Sequence, residues 1–108
     1  MDKKDLRIVF MGSPEFAVAQ LKTIIDSGYN VVGVITSPDR KAGRGRKMKM
    51  SAVKIYAQSL NLQILQPTNL KDASFIQDLK DLNPNLQVVV AFRMLPKLVW
   101  DIPILGTF

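Results

Sequence analysis

Apolar residues follow two alternating patterns along this chain. Short, nearly continuous runs alternate with longer stretches in which apolar positions recur every three or four residues. Residues 6–11 form the first run, with Ile8, Val9, Phe10 and Met11 unbroken. A run of this length, closed by Gly12, Ser13 and Pro14, predicts a strand covered on both faces, as in a parallel sheet. Ser13 suits a helix cap and Pro14 a first helical position. The spacing of Phe16, Ala17, Leu21, Ile24 and Ile25 then predicts a helix over 14–27, stopped by Gly28. Residues 31–36 read as a second strand. Ser51 caps a predicted helix over 52–60, with Val53, Ile55, Tyr56 and Leu60 as its apolar positions. A short third strand is expected at 63–65 and a turn at 66–69. A helix follows over 72–82, with Phe75, Ile76 and Leu79 inward and Asn83-Pro84-Asn85 as its stop. The fourth strand is placed at 86–92, a short helical piece within 93–100 and the start of another strand from Ile104.

Strand–helix alternation of this kind predicts a Rossmann-like α/β fold. Its parallel sheet has helices on both faces, and right-handed crossovers give the strand order 3-2-1-4. In such sheets ligands lie beyond the carboxyl ends of the strands, where the strand order reverses. That point falls between the first and fourth strands. Three segments should therefore share one rim: 12–16, 36–51 and 92–95.

Charge singles out the middle segment. The 108 residues carry 15 Lys and Arg against 9 Asp and Glu, a net charge of +6. Seven of the cations lie between Arg40 and Lys54 with no carboxylate among them, and the rest of the chain sums to about −1. Gly43 and Gly45 flank Arg44, and Asp39 stands at the entrance. The stretch reads as a long, mobile, cationic loop, with 41–50 expected to be poorly ordered without RNA. Such a loop serves polyanions, because each cation that neutralises a phosphate releases a counterion. Taken alone, a basic run is equally a solvated surface loop; its place on the ligand rim favours function.

Other rim residues have two readings each. Gly12 and Ser13 open a helix, which favours anions, or simply make a tight turn and a cap. The second and third glycines of a dinucleotide fingerprint are missing here. Phe16 is first a helix core position and second a surface for base stacking. Arg93 is a surface ion-pair partner or a cation at the mouth of the crevice. Met48, Met50 and Met94 are taken as packing residues. Cysteine and histidine are absent, so thiolate metal sites are excluded and the commonest general base is missing. No run reaches membrane-spanning length. A soluble, cytoplasmic protein with no metal and no membrane partner is expected.

Three stretches then become recognisable. Residues 6–17, the Pro38-Asp39-Arg40-Lys41-Ala42-Gly43-Arg44-Gly45-Arg46-Lys47 segment, and Val88-Val89-Val90-Ala91-Phe92 closely resemble the start of the methionyl-tRNA formyltransferase family. The likeness covers essentially the whole chain. It implies transfer of a formyl group from 10-formyltetrahydrofolate to the amino group of methionyl initiator tRNA, in a whole enzyme that is monomeric. By this resemblance the tRNA-binding residues are Phe16, Arg40, Lys41, Arg44, Arg46 and Lys47, with Arg44 the main discriminating contact. The folate-binding turn is Phe92, Arg93, Met94 and Leu95. The usual family turn is Ala-Tyr-Gly followed by a longer run to Leu-Pro, and Ala91-Phe92-Arg93-Met94-Leu95-Pro96 departs from it.

The resemblance also implies that residues 1–108 are the N-terminal part of a folate-dependent formyltransferase domain. The family's catalytic asparagine, histidine and aspartate and its C-terminal domain would lie beyond Phe108, so no catalytic residue is assigned here. The fragment is expected to be inactive alone. Two other functions remain open. One is a different folate-dependent formyltransferase, acting on a ribonucleotide or sugar nucleotide, which would have little use for seven clustered cations. The other is an RNA-binding module without chemistry.

Overall fold

The computed structural model describes residues 5–42 and 47–108. Its central sheet has four parallel strands in the spatial order β5-β2-β1-β6. The strands are β1 (Arg7–Gly12), β2 (Asn30–Ile35), β5 (Ile64–Leu65) and β6 (Leu86–Val90). This is the expected 3-2-1-4 order in terms of the four predicted strands. Two further short strands, β3 (Arg40–Ala42) and β4 (Lys47–Lys49), lie between β2 and helix α2.

Helices cover both faces of the sheet because β1 and β2 are apolar on both. Phe10 and Val34 pack with Ala17 and Leu21 of α1 (Glu15–Asp26) and with Val53 and Ala57 of α2 (Ala52–Ser59). Val9, Met11 and Ile35 pack on the other face, with Phe75, Ile76 and Leu79 of α3 (Ala73–Asp81) and Val99 of α4 (Lys97–Trp100). Successive residues of β1 thus feed opposite cores, which is the two-residue period of a strand applied to a doubly covered sheet. The Ser51 cap follows the expectation, its hydroxyl accepting from the Lys54 amide. Asp72, expected as the first residue of its helix, instead caps α3, its carboxylate accepting from the Phe75 amide.

Several local expectations are corrected. Ser13 does not cap α1: Pro14 holds the cap position and makes no side-chain bond there, because the Ser13 hydroxyl is engaged across the sheet end. In α2 the inward positions are Val53 and Ala57, which turns Ile55 and Leu60 outward. β6 ends at Val90 rather than Phe92, since Ala91 takes a φ of 50°, a left-handed conformation that no strand continues through. Met48 and Met94 are exposed, the latter by 94%, so neither packs a core. The strand expected from Ile104 is a single parallel bridge, Gln87 to Thr107. It is tied by hydrogen bonds from the Gln87 amide to Gly106 O and from the Val89 amide to Phe108 O.

The cationic segment is likewise not a plain loop. Its two stems pair as an antiparallel ribbon, with Arg40 opposite Lys49, Lys41 opposite Met48 and Ala42 opposite Lys47. Arg44 and Arg46, both assigned to tRNA binding by resemblance, fall outside the described residues. So do the expected disorder of the loop tip and the side chain of Lys47.

Candidate functional site

The rim is built on hydroxyls. The Ser13 Oγ, at the end of β1, lies 2.6 Å from the Ser37 Oγ and 3.3 Å from the Thr36 Oγ1, and it accepts from the Ser37 amide at 3.0 Å. The Thr36 Oγ1 reaches the Ser51 Oγ at 2.5 Å. One chain of side-chain hydrogen bonds therefore ties the ends of β1 and β2 to the start of α2. Thr36 is fully buried, and a buried hydroxyl is tolerable because it is paired on both sides.

Gly12 sets the spacing beneath this chain. A Cβ there would lie 2.8 Å from the carbonyl oxygen of Val90, 3.0 Å from the Phe10 ring and 3.1 Å from the Ala17 Cβ. Only glycine lets β1, β6 and α1 converge this closely where the strand order reverses.

Asp39 fastens the ribbon to the rim. Its carboxylate accepts from the Lys54 Nζ at 2.7 Å and from the Gln66 Nε2 at 2.8 Å, while the same Gln66 amide donates to Ser37 O at 3.0 Å. The Lys54 hydrogen bond, then that of Gln66, holds the Asp39 carboxyl below its ordinary range. Lys54 is thereby neutralised. Among the described residues, none of the three ion pairs engages Arg40, Lys41 or Lys49, and Arg40 and Lys41 are exposed.

Two cavities lie on this rim. One, of about 510 Å³, is lined by Ser13, Glu15, Ser37, Arg40, Lys49 and Ser51 among others. It lies between the ribbon and the amino ends of α1 and α2. The other, of about 530 Å³, is lined by Thr68, Leu70, Lys71 and the turn from Arg93 to Pro96. Arg93 closes its side: the guanidinium donates to Pro67 O at 2.7 Å and Thr68 O at 3.1 Å, and lies 4.9 Å from the centre of the Phe92 ring. Partial burial, then the charge of Arg40, pushes the Arg93 guanidinium down from its ordinary value. Arg40 thus lines the first cavity while its field reaches the second. Among the described residues, no backbone–backbone hydrogen bond engages 92–95.

Segments 12–16 and 36–51 therefore meet around the first cavity, while the turn at 92–95 lines the second and is linked to them through the field of Arg40 on Arg93. Phe16 is 62% exposed at the first turn of α1, which removes its core reading; Ala17, one position on, takes the inward place. Phe92 and Leu95 are partly buried against the α3–α4 core, while Met94 projects outward. Lys49 was counted among the segment's cations but not among the tRNA contacts drawn from sequence. Reading 43–46 as a four-residue hairpin connection would have placed it opposite Arg40. Among the described residues, no cluster of three or more Asp, Glu, His or Cys is arranged to hold a metal ion, and no helix is long and apolar enough to cross a membrane.

A parallel α/β sheet with cavities beyond the carboxyl ends of its strands is the arrangement in which open α/β domains take ligands. The sequence profile described as formyl transferase matches residues 6–107, and the chain belongs to that family. Methionyl-tRNA formyltransferase of Flavobacterium johnsoniae is 68% identical over 103 residues, covering 95% of this chain and 33% of that relative. The methionyl-tRNA formyltransferases of Bacteroides thetaiotaomicron and Parabacteroides distasonis are 58% and 57% identical, and each match covers 100% of this chain and 34% of the relative. The chain thus spans about a third of the length of the curated relatives it matches.

Proposed function

We propose that these 108 residues are the part of a methionyl-tRNA formyltransferase that holds the acceptor end of initiator tRNA and one wall of the site for 10-formyltetrahydrofolate. The observation that carries this reading is the cationic ribbon on the carboxyl rim of the sheet, with Arg40, Lys41 and Lys49 free of carboxylate partners among the described residues. Arg44, Arg46 and Lys47 add charge to the same segment by sequence. Exposed Phe16, beside the ribbon-side cavity, offers a base or an aminoacyl group a face to stack on.

The folate reading rests on the second cavity. Its volume of about 530 Å³ lies in the range of small-molecule sites, which fix ligands by a few polar groups. The turn at 92–95 makes no backbone–backbone hydrogen bond among the described residues, and Arg93 adds a cation for a carboxylate-bearing ligand. When bound, the folate supplies the formyl group; the residues here bind and orient.

Formyl transfer itself is assigned to groups outside this chain. An amine attacking a formyl carbon needs a stabilised oxyanion and a proton acceptor. The chain has no histidine, and Asp39 is committed to Lys54 and Gln66. The test pairs two assays on the purified chain. Filter binding should show methionyl-tRNA retained with steep salt dependence, weakened by Arg44→Ala and unchanged by Lys22→Ala on α1. Incubation with 10-formyltetrahydrofolate should give no formylmethionyl-tRNA. Equal effects of the two substitutions would remove Arg44 from the interface, and turnover would place chemistry within these residues, with Glu15 the first to test.

A further inference from the structure

Residues 91–95 take a shape that their own backbone does not hold. Ala91 leaves β6 at a φ of 50°, a conformation that a residue other than glycine keeps only where its surroundings fix it. No backbone–backbone hydrogen bond engages 92–95 among the described residues. The hydrogen bonds that hold this turn come from one side chain. Arg93 donates through Nη2 to Pro67 O at 2.7 Å and through Nη1 to Thr68 O at 3.1 Å. Its guanidinium lies 4.9 Å from the centre of the Phe92 ring, within cation–π range. Phe92 and Leu95 pack against the α3–α4 core, which leaves the middle of the turn to Arg93.

The acceptors of these bonds are informative. Pro67 and Thr68 follow β5, and β5 and β6 are the two outermost strands of the parallel sheet. Arg93 therefore joins the connections that follow opposite edges. The 66–69 turn is a firm anchor, because the Gln66 amide donates to Ser37 O at 3.0 Å and to the Asp39 carboxylate at 2.8 Å. Among the described residues, neither Pro67 O nor Thr68 O accepts from a backbone amide. Two successive free carbonyls suit the fixed fork of a guanidinium, which the single ammonium of a lysine cannot reproduce. The cavity of about 530 Å³ has residues 68–71 on one wall and residues 93–96 on the other, so the same two bonds set its width.

The geometry points to Arg93 as a positioning residue of this cavity: its guanidinium latches the 92–95 turn to the 66–69 turn and fixes both walls before a ligand arrives. A wall ordered in advance spares the ligand the entropy of ordering it. The latch lies in the stretch where this chain departs from the usual family turn, so it is a property of this chain. The inference deepens the folate reading above and rests on it for the identity of the ligand; the latch itself does not depend on that identity.

The test compares Arg93→Ala and Arg93→Lys with the parent chain in two measurements. Backbone 15N relaxation without ligand should give order parameters near about 0.85 at 93–95 in the parent and below about 0.6 in both variants. Those of β1 and β6 should stay unchanged, which guards against misfolding. Titration with 5-formyltetrahydrofolate, a stable formyl-bearing folate, should show binding weakened roughly tenfold in Arg93→Ala, the size expected for losing a charge-assisted contact. Arg93→Lys keeps the charge and loses the fork, so it should bind as weakly as Arg93→Ala. Parent-like affinity in Arg93→Lys would make Arg93 a charge for the ligand and overturn the positioning role. Equal order parameters in the parent and Arg93→Ala would overturn the latch. A loosened turn in both variants with no folate binding by the parent upholds the latch and removes the folate reading.

Discussion

The two ends of the sheet treat their cations in opposite ways. At the amino ends of the strands, Arg7 is spent entirely within the fold. Its guanidinium donates to Leu82 O at 2.7 Å and to Asn83 O at 3.0 Å, closing the carboxyl end of α3, while its amide donates to the Asn85 Oδ1 at 2.7 Å. At the carboxyl ends, Arg40 and Lys49 face each other with no carboxylate in ion-pair range among the described residues. An arginine that satisfies helix carbonyls is a structural part. Cations held together without an acid cost stability, and they persist where a partner supplies the missing charge. The difference is one of how Arg7 and the ribbon cations are paired, since the amino end also carries a cavity, of about 660 Å³, lined by Lys80, Asn83 and Pro84 among others.

The seam beneath the carboxyl end should be the most sensitive point. Gly12→Val forces a branched side chain against Val90 O and the Phe10 ring and should lower unfolding free energy by about 3 kcal/mol. A variant as stable as the parent would mean that β1, β6 and α1 can part at the switch point. Thr36→Val removes the buried hydroxyl between Ser13 and Ser51 and should cost about 2 kcal/mol in urea unfolding, because it leaves two hydroxyls short of a partner. At the amino end, Arg7→Met should cost about 1 kcal/mol and leave tRNA retention unchanged. A loss of tRNA binding in that variant would break the contrast between the two ends.

The contrast also has a pH dependence at its hinge. The Asp39 carboxyl is held below its ordinary value of 3.8, first by its hydrogen bond from Lys54. A depressed carboxyl stabilises the fold above its unfolded value and loses that contribution as pH falls through the lower folded one. The clamp between the ribbon and α2 should therefore persist at neutral pH and release only below about 3.8. The check is the carboxyl carbon resonance of Asp39 during acidification. A midpoint at or above 3.8 would show that the ion pair with Lys54 does not form in solution.

The sheet order and the Ser51 cap were legible in the sequence because they rest on local signals. Apolar runs, their spacing and a residue such as Ser51 act within four positions of themselves. What was not legible depends on distant partners. Ser13 carries the residue type of a helix cap, yet its hydroxyl is claimed by Thr36 and Ser37, more than twenty residues away. The α1 pattern put both Phe16 and its neighbour Ala17 on the apolar face, and only packing shows that Ala17 is buried while Phe16 is exposed. The end of β6 was hidden because Ala91 has the composition of a strand and the conformation of a turn. The ribbon was read as loop because its stems are short and cationic, with no apolar alternation to announce strands. The rim placement survived these errors, since it follows from topology rather than from any one side chain.

The most direct test of the carboxyl-end account is hydrogen–deuterium exchange of the chain with and without methionyl-tRNA at low ionic strength. Slowed exchange is predicted in the ribbon stems, 40–42 and 47–49, and in the first turn of α1. No change is predicted at 82–85, where Arg7 satisfies the carbonyls at the end of α3. Protection at 82–85 with none in the ribbon would contradict the account and move the interface to the other end of the sheet.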